Sequence, residues 1–240
     1  MALRTMNSSS RLERPKAWLA WSSGKDSAWA LHAIRQGGDF EIVALLTTVN
    51  RDYQRVAMHA VRESLLEAQA AAAGLPLVKV MIPSPCPNEF YEQAMSEKML
   101  CARAVGVSHV VFGDLFLEDI RAYREKQLAN CGMTPIFPLW RRDTRRLAEE
   151  MLAGGLSAYL TCIDPRKLRR EFAGRRFDAG LLAALPSSVD PCGENGEFHT
   201  FACAGPMFRR PIPVAVGEIV ERDDFVFADL VPGTAATVAV

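Results

Sequence analysis

The feature that most constrains the fold of this chain is an alternation, from residue 17 to about 153, between short apolar runs and longer segments with helical spacing. The runs AWLAW (17–21), EIVALLTTV (41–49) and SHVVFGD (108–114) lack the in–out pattern of a half-exposed strand. Strands that are buried on both faces and followed by helices are typical of a parallel sheet covered on both sides. We therefore expect a doubly wound α/β domain with a mostly parallel five-stranded sheet.

The pattern changes beyond Gly155, where short strand-like and helix-like segments are separated by Pro and Gly. LSAYLTCID (156–164) predicts a strand, residues 167–185 predict short helices, and residues 218–230 predict a hairpin. We expect a main domain over 15–154 and a smaller α+β domain over 155–240. The polar residues 1–14 are expected to form a disordered tail.

Composition narrows the class of protein. The six cysteines contain no CxxC pair, which indicates reduced thiols rather than a disulfide framework or a zinc site. Lys plus Arg and Asp plus Glu both number 28, so broad binding to nucleic acid or a membrane surface is not favoured. No apolar run is long enough for a membrane span, and residues 1–14 lack a secretory h-region. We expect a cytoplasmic protein, and the sequence leaves a homo-oligomer open.

The segment SSGKDS (22–27) lies between the first predicted strand and the first predicted helix. Such a loop directs unpaired N–H groups and the positive end of a helix dipole to one point, which suits a phosphate. Lys25 would add a positive charge, and Asp26 could hold a metal ion. Leu19 and Asp26 occupy positions that Walker A reserves for Gly and for Ser or Thr, so that motif is excluded. The six residues alone leave open a solvated turn with an N-capping serine.

Three motifs in order carry a resemblance to a known family. AWSSGKDSAWAL resembles the SGGxDS loop of the PP-loop ATP pyrophosphatases. GDLFLEDIRAYREKQL (113–128), with TPIFPLW after it, and DPCGENGEFHTFACAGPMF (190–208) resemble the diphthine–ammonia ligase family within that superfamily. The resemblance covers about residues 17–213 and implies a Rossmann-like fold of the PP-loop type. Its one departure is Ser23, which stands where the first glycine of the loop usually is.

The resemblance also implies a reaction. A carboxylate is adenylated with cleavage of ATP between the α and β phosphates, and ammonia then displaces AMP. The implied ligands are ATP, Mg²⁺ bound by Asp26, ammonia and a carboxylate. That carboxylate would belong to a diphthine-bearing elongation factor or to a small acid.

The candidate site residues follow from these motifs. For catalysis we expect Lys25, with Glu194 or Glu197 as a base or ammonium holder. Cys192 is expected to be a structural thiol. For nucleotide binding we expect Ser22, Ser23, Gly24, Lys25, Asp26, Ser27, His59, Gly113, Asp114, Arg124, Gly193, Asn195, Gly196 and His199. Asp114 could instead cap a helix, and His59 could be a surface residue.

Two other functions stay open. PP-loop relatives modify tRNA, although the absent CxxC pair argues against sulfur transfer and the balanced charge argues against a large RNA footprint. A non-catalytic sensor of AMP or ATP is the second alternative, and Ser23 in place of glycine leaves it open.

Overall fold

Two sheets account for the strands of the part of the chain that the computed structural model describes, residues 14–53, 55–56 and 61–234. The first sheet and its helices are built from β1 (Lys16–Ala20), α1 (Lys25–Gly37), β2 (Glu41–Asn50), β3 (Arg55–Val56), α2 (Glu63–Ala73), β4 (Leu77–Ile82), α3 (Asn88–Ala104), β5 (Val107–Val111), α4 (Glu118–Asn130), β6 (Thr134–Ile136) and α5 (Thr144–Ala153). The second contains β7 (Ser157–Ile163), β8 (Arg176–Phe177), α6 (Ala179–Ala184), β9 (Phe198–Ala204), β10 (Val214–Arg222) and β11 (Phe225–Pro232).

The first sheet confirms the predicted doubly wound α/β architecture. Its parallel strands run in the order β4–β2–β1–β5–β6. Successive residues of β1 face opposite sides: Leu19 packs in a core with residues of α1, α2 and α5, whereas Trp18 packs in a core with residues of α3 and α4. The two-residue strand β3, antiparallel to β2, adds a sixth strand that the apolar pattern did not predict.

Helix boundaries follow local signals. Asp143 caps α5, because its side chain accepts a hydrogen bond from the Arg146 backbone N–H at 2.8 Å. Helix α2 begins at Glu63, and Gly74 ends it in the left-handed conformation.

The second sheet is antiparallel, with β7 paired to β8, β9 and β11. Residues 218–230 form the predicted hairpin, whose strands are longer than expected. Residues 167–185 form α6 and a single 3-10 turn (Arg170–Phe172), with β8 between them rather than helices alone.

The packing between the sheets positions the site. Residues of α1 such as Leu31 share one core with Leu160 of β7 and Phe201 of β9. Strand β9 therefore lies against the N-terminal part of α1 and bonds to the loop that precedes it. The predicted domain boundary at residue 154 stays a prediction. Among the described residues, no helix is both long enough and apolar enough to cross a membrane.

Candidate active site

A cleft of about 550 Å³ lies between the carboxyl edge of the first sheet and β9 with the loop before it. Ala20 and Trp21 at the end of β1, and Phe112 after β5, line one side. Phe198 and Thr200 of β9 line the opposite side. Ligands of open α/β sheets bind beyond the carboxyl ends of the strands, and this volume is typical of small-molecule sites.

One side of the loop 22–27 lines the cleft. Ser22 lines the cleft, and its hydroxyl accepts a hydrogen bond from the Gly24 N–H at 3.3 Å. Ser27 also lines the cleft, and its hydroxyl lies 3.1 Å from that of Ser22. Ser23 is fully buried and adopts a left-handed conformation, with φ of 70°. This conformation favours glycine, which explains why a glycine is usual at this position of the motif.

Lys25 is 1% exposed and is held by groups of both sheets. Its Nζ donates to Asp26 Oδ2 at 2.9 Å and to the Cys192 carbonyl oxygen. The same ammonium lies 5.6 Å from the ring centroid of Phe177 and 5.3 Å from that of Phe198. Burial opposes its charge, but Asp26, Cys192 and Glu194 together outweigh that effect and the pKa of Lys25 is raised. Lys25 therefore joins the loop 22–27 to the second sheet as a charged group.

Asp26 combines an ion pair with an unused oxygen. Oδ2 binds Lys25, whereas the buried Oδ1 has no hydrogen-bond partner. A metal ion would satisfy that oxygen, and Mg²⁺ bound to phosphates commonly takes only one or two protein carboxylates. No cluster of three or more His, Cys, Asp or Glu side chains suited to a metal ion occurs within 14–53, 55–56 and 61–234. Asp26 thus fits a metal ion that is held mainly by substrate phosphates.

Gly113 allows two segments of the cleft to approach closely. A Cβ atom added there would lie 2.8 Å from the carbonyl carbon of Asp26 and 2.9 Å from the backbone nitrogen of Ser27. The loop after β5 is therefore in direct backbone contact with the first turn of α1. Gly113 supports the loop 22–27 in addition to lining the cleft.

Asp114 and Arg124 are partners of one another. The guanidinium of Arg124 places Nη2 3.0 Å from Asp114 Oδ1 and Nε 2.8 Å from Asp114 Oδ2. The same guanidinium covers the Phe112 ring at 4.3 Å from its centroid. Both residues line the cleft, so the pair places a partly neutralised cation at its wall.

Asp190 organises the loop 190–197. Its Oδ1 accepts the backbone N–H groups of Cys192 at 2.9 Å and Glu194 at 3.2 Å, and its Oδ2 accepts the Thr144 hydroxyl at 2.6 Å. Gly193 has a φ of 72°, and an added Cβ there would lie 2.8 Å from the Phe198 carbonyl oxygen. Burial raises the pKa of the Cys192 thiol, which agrees with a structural thiol.

Glu194 is the carboxyl group of this loop that faces the cleft. Its Oε1 accepts the Leu115 backbone N–H at 2.8 Å. Burial raises the pKa of Glu194 to about 7, and the negative charge of Asp26 adds to this effect. A carboxyl group that titrates near neutral pH can accept and release protons under physiological conditions.

Glu197 and Asn195 are positioned differently from Glu194. Glu197 is 2% exposed, and its Oε1 accepts the Asp190 backbone N–H at 3.1 Å and the Asn195 Nδ2 at 3.2 Å. Neither residue lines the cleft. Their contacts hold the loop together, and the predicted direct roles of both residues stay predictions.

His199 lies in β9 and lines the cleft. Burial, with the nearby positive charge of Lys25, lowers the pKa of His199 to about 4. The imidazole is therefore neutral at physiological pH.

The structure brings most of the sequence candidates together. Those that line the cleft are Ser22, Lys25, Asp26, Ser27, Gly113, Asp114, Arg124, Gly193, Glu194, Gly196 and His199. Ser23, Gly24, Asn195 and Glu197 lie behind it, and His59 falls outside the described residues.

Two residues that bind the loop 22–27 were missed by sequence reasoning. The Thr200 hydroxyl accepts the Lys25 backbone N–H at 3.0 Å, so one N–H at the start of α1 is already bonded. The fully buried Gln69 of α2 donates to the Ser23 carbonyl oxygen at 2.9 Å. The available signal for Gln69 was a lone amide in the otherwise apolar run AQAAAA.

A loop between the first strand and the first helix of a parallel sheet, joined to a cleft at the carboxyl edge, defines a doubly wound, Rossmann-like α/β protein. Two family models match the chain: the diphthamide synthase N-terminal domain over residues 15–135 and the diphthamide synthase C-terminal domain over residues 143–230. The chain belongs to the diphthamide synthase family, which confirms the family expected from its motifs.

Curated relatives agree with this assignment at modest identity. A protein of Danio rerio named diphthine–ammonia ligase is 27% identical over 234 residues, covering 86% of this chain and 89% of its own length. The protein of the same name from Homo sapiens is 24% identical, covering 86% and 85%. A relative of that name from Schizosaccharomyces pombe is 26% identical over 221 residues, and the match spans only 36% of its length.

Proposed function

We propose that this protein is an ATP-dependent carboxylate–ammonia ligase that forms an acyl-adenylate, as the name of its relatives, diphthine–ammonia ligase, suggests. The observation that carries the proposal is the placement of Glu194, which titrates at about 7, in the same cleft as the loop 22–27. The loop 22–27 can bind phosphates, and Glu194 can accept and release a proton. Adenylation followed by attack of ammonia requires both.

The first step joins the acid to AMP. A carboxylate oxygen of the acid attacks the α-phosphorus of ATP, and the bond to the β-phosphate oxygen breaks to release pyrophosphate. The hydroxyls of Ser22 and Ser27 are the donors of this loop that line the cleft, and the Gly24 N–H supports them through its bond to the Ser22 hydroxyl. Fixed donors of this kind stabilise the charge that develops in the transition state. Asp26 Oδ1 would hold Mg²⁺, whose charge neutralises the triphosphate.

The second step forms the amide. Ammonium must lose a proton before its nitrogen can attack the acyl carbon, and the ionised Glu194 carboxylate can accept that proton. The C–N bond forms as the acyl C–O bond to AMP breaks. The Leu115 N–H holds Glu194 Oε1, which leaves Oε2 as the oxygen for proton transfer.

The acid itself is proposed from the relatives rather than from the cleft. Their name points to diphthine carried on a protein, so a protein substrate is our first choice and a small acid is the alternative. Ammonia is proposed as the free nitrogen donor.

Product analysis tests this function. The protein is incubated with ATP, Mg²⁺, ammonium and candidate acids, and the phosphorus products are separated. We expect AMP and pyrophosphate in equal amounts, with amide formed only when the acid and ammonium are both present. Formation of ADP and phosphate would contradict adenylation. Binding of AMP or ATP without turnover of any acid would favour the sensor alternative.

A matched pair of variants ties the activity to the cleft. Glu194→Gln keeps the acceptor for the Leu115 N–H but removes the base, whereas Glu171→Gln makes the same change on an exposed side chain. Amide formation should fall in the first variant only. An equal effect of both substitutions would show that Glu194 has no special role.

A further inference from the structure

The loop 22–27 has one peptide group whose direction decides whether it can bind a phosphate. The peptide between Ser23 and Gly24 places its N–H on the side of the Ser22 hydroxyl, which lines the cleft. In a trans peptide the C=O and N–H point in opposite directions, so the Ser23 carbonyl points away from the cleft. The reverse orientation would present a carbonyl oxygen to a phosphate and repel it.

The one local bond that favours this orientation is the long one from the Gly24 N–H to the Ser22 hydroxyl, at 3.3 Å. Gly24 adopts extended angles and, as a glycine, tolerates many others at little cost. Ser23 is already in the left-handed region. A rotation of this single peptide would leave the rest of α1 in place, so the observed direction needs a partner elsewhere in the fold.

Gln69 supplies that partner from α2. Its Nε2 donates to the Ser23 carbonyl oxygen at 2.9 Å and to the Ala202 carbonyl oxygen at 2.7 Å. Its Oε1 accepts the Trp21 indole N–H at 2.9 Å. The side chain is fully buried, and both of its amide hydrogens and its oxygen are used.

A strand of the second sheet also bonds to the Ser23 carbonyl. The Ala202 N–H of β9 donates to the Ser23 carbonyl oxygen at 2.9 Å, next to the bond from Gln69. Gln69 thus bonds at once to the loop 22–27, to the end of β1 through Trp21 and to β9. A buried network with every member satisfied specifies one arrangement, whereas loss of one member leaves buried groups without partners.

We propose that Gln69 is a positioning residue that holds the Ser23–Gly24 peptide with its N–H on the Ser22 hydroxyl, which lines the cleft, and thereby sets the affinity of the site for phosphate groups. The inference rests on the proposed function only in taking the loop 22–27 as the phosphate-binding element. It differs from a general structural role because it concerns the phosphates of a ligand and not its nucleoside.

The test compares ligands with and without phosphates. Binding of ATP, inorganic pyrophosphate and adenosine to the wild type and to Gln69→Leu is measured by isothermal titration calorimetry, after thermal melting has shown that each protein is folded. We expect ATP and pyrophosphate to bind at least about tenfold more weakly to Gln69→Leu, since three buried bonds are lost, one of them to the Ser23 carbonyl. Adenosine binding should change by less than about twofold.

A matched control separates positioning from loss of stability. Leu66→Ala removes a buried side chain from the same helix without removing a hydrogen bond. It should lower the melting temperature while leaving the ratio of ATP to adenosine affinity unchanged. If Gln69→Leu does not fold, the same binding measurements are made on Gln69→Glu, because this variant keeps the acceptor for Trp21 and loses both amide donors.

Two outcomes would overturn the inference. One is a parallel loss of adenosine and ATP binding in a folded Gln69 variant, and the other is unchanged pyrophosphate binding. Failure of the proposed function appears elsewhere: a wild type that binds pyrophosphate but forms no AMP with any acid would reject the ligase and leave the Gln69 comparison valid.

Discussion

The two loops that line the cleft, 22–27 and 190–197, differ in where their stabilising hydrogen bonds come from. The loop 22–27 is fixed by bonds to other elements. Its Ser23 carbonyl and Lys25 N–H are bonded to β9, and its Lys25 ammonium is bonded to the loop 190–197. What it offers to the cleft are the hydroxyls of Ser22 and Ser27, the first of which is supported by the Gly24 N–H. Its shape therefore depends on residues far away in the sequence.

The loop 190–197 is stabilised mainly by hydrogen bonds between its own residues. Asp190 accepts two backbone N–H groups of its own loop, and Glu197 accepts the Asp190 N–H and the Asn195 amide. Its remaining carboxylate, Glu194, faces the cleft. The comparison teaches that one loop contributes donors and the other contributes a proton acceptor, and that Lys25, bonded to the Cys192 carbonyl, connects them.

The largest expected effect comes from cutting that connection. Lys25→Met leaves the Asp26 carboxylate without its ion-pair partner in a mostly buried site. Breaking a buried pair from one side costs about 3–5 kcal/mol, so we expect a loss of unfolding free energy of that order and no measurable turnover. Chemical denaturation and the AMP assay measure the two effects.

Removing both charges is the control for this prediction. Lys25→Met combined with Asp26→Asn no longer leaves a charge unpaired, so the double variant should be more stable than Lys25→Met alone. It should remain inactive because the carboxylate is gone. Equal stability of the single and double variants would show that the unpaired charge of Asp26 is not the cause of the lost stability.

The second prediction concerns the proton acceptor of the loop 190–197. Glu194→Gln should slow amide formation about 100- to 1,000-fold, which is the usual contribution of a general base. Adenylate formation, followed by exchange of labelled pyrophosphate into ATP, should change little. The two loops would then be separable by reaction step.

The pH dependence gives an independent check on Glu194. Its pKa of about 7 means that the ionised, proton-accepting form increases as the pH rises through 7. Wild-type amide formation should therefore rise more steeply than that of Glu194→Gln between pH 6 and about 8. The fraction of ammonia that is unprotonated is the same for both proteins at a given pH, so it does not contribute to the difference between their profiles. Parallel profiles would remove Glu194 from the mechanism.

The comparison of the loops also explains what the sequence could and could not reveal. The loop 22–27 was identifiable because a strand, a glycine-containing turn and a helix start are consecutive, and the alternating pattern fixed their place at one sheet edge. The supports of that loop, Gln69 and Thr200, come from distant elements, so even the lone amide in AQAAAA could not show which loop Gln69 would bind. In the loop 190–197 the charged residues were visible, but which of Glu194 and Glu197 faces the cleft depends on the backbone turn at Gly193.

A smaller effect is expected where the loop after β5 meets α1. Gly113→Ala places a methyl group 2.8–2.9 Å from the backbone of Asp26 and Ser27, so one of the two segments must move. We expect ATP affinity to fall about tenfold, with the free energy of unfolding lowered by about 1–3 kcal/mol. Gly106→Ala serves as a control for alanine at a glycine, since its added Cβ meets no neighbouring atom, although its φ of 84° gives it a backbone cost of its own. ATP affinity should be unaffected there.

The smallest effect is expected at Ser23, the residue that departs from the usual motif. A non-glycine residue pays about 1–2 kcal/mol for the left-handed conformation, which Ser23→Gly would remove, while the greater freedom of glycine in the unfolded chain offsets part of that gain. The Ser23 hydroxyl has no hydrogen-bond partner, so nothing polar is lost with it. We expect unfolding free energy to stay within about 1 kcal/mol of wild type, with unchanged ATP affinity, because Gln69 and Ala202 still hold the carbonyl. In a Gln69→Leu background the same change should weaken ATP binding further, since only the Ala202 N–H then holds the Ser23 carbonyl and glycine gives the peptide more freedom. If Ser23→Gly again leaves ATP affinity unchanged in that background, the two residues do not act together on the peptide.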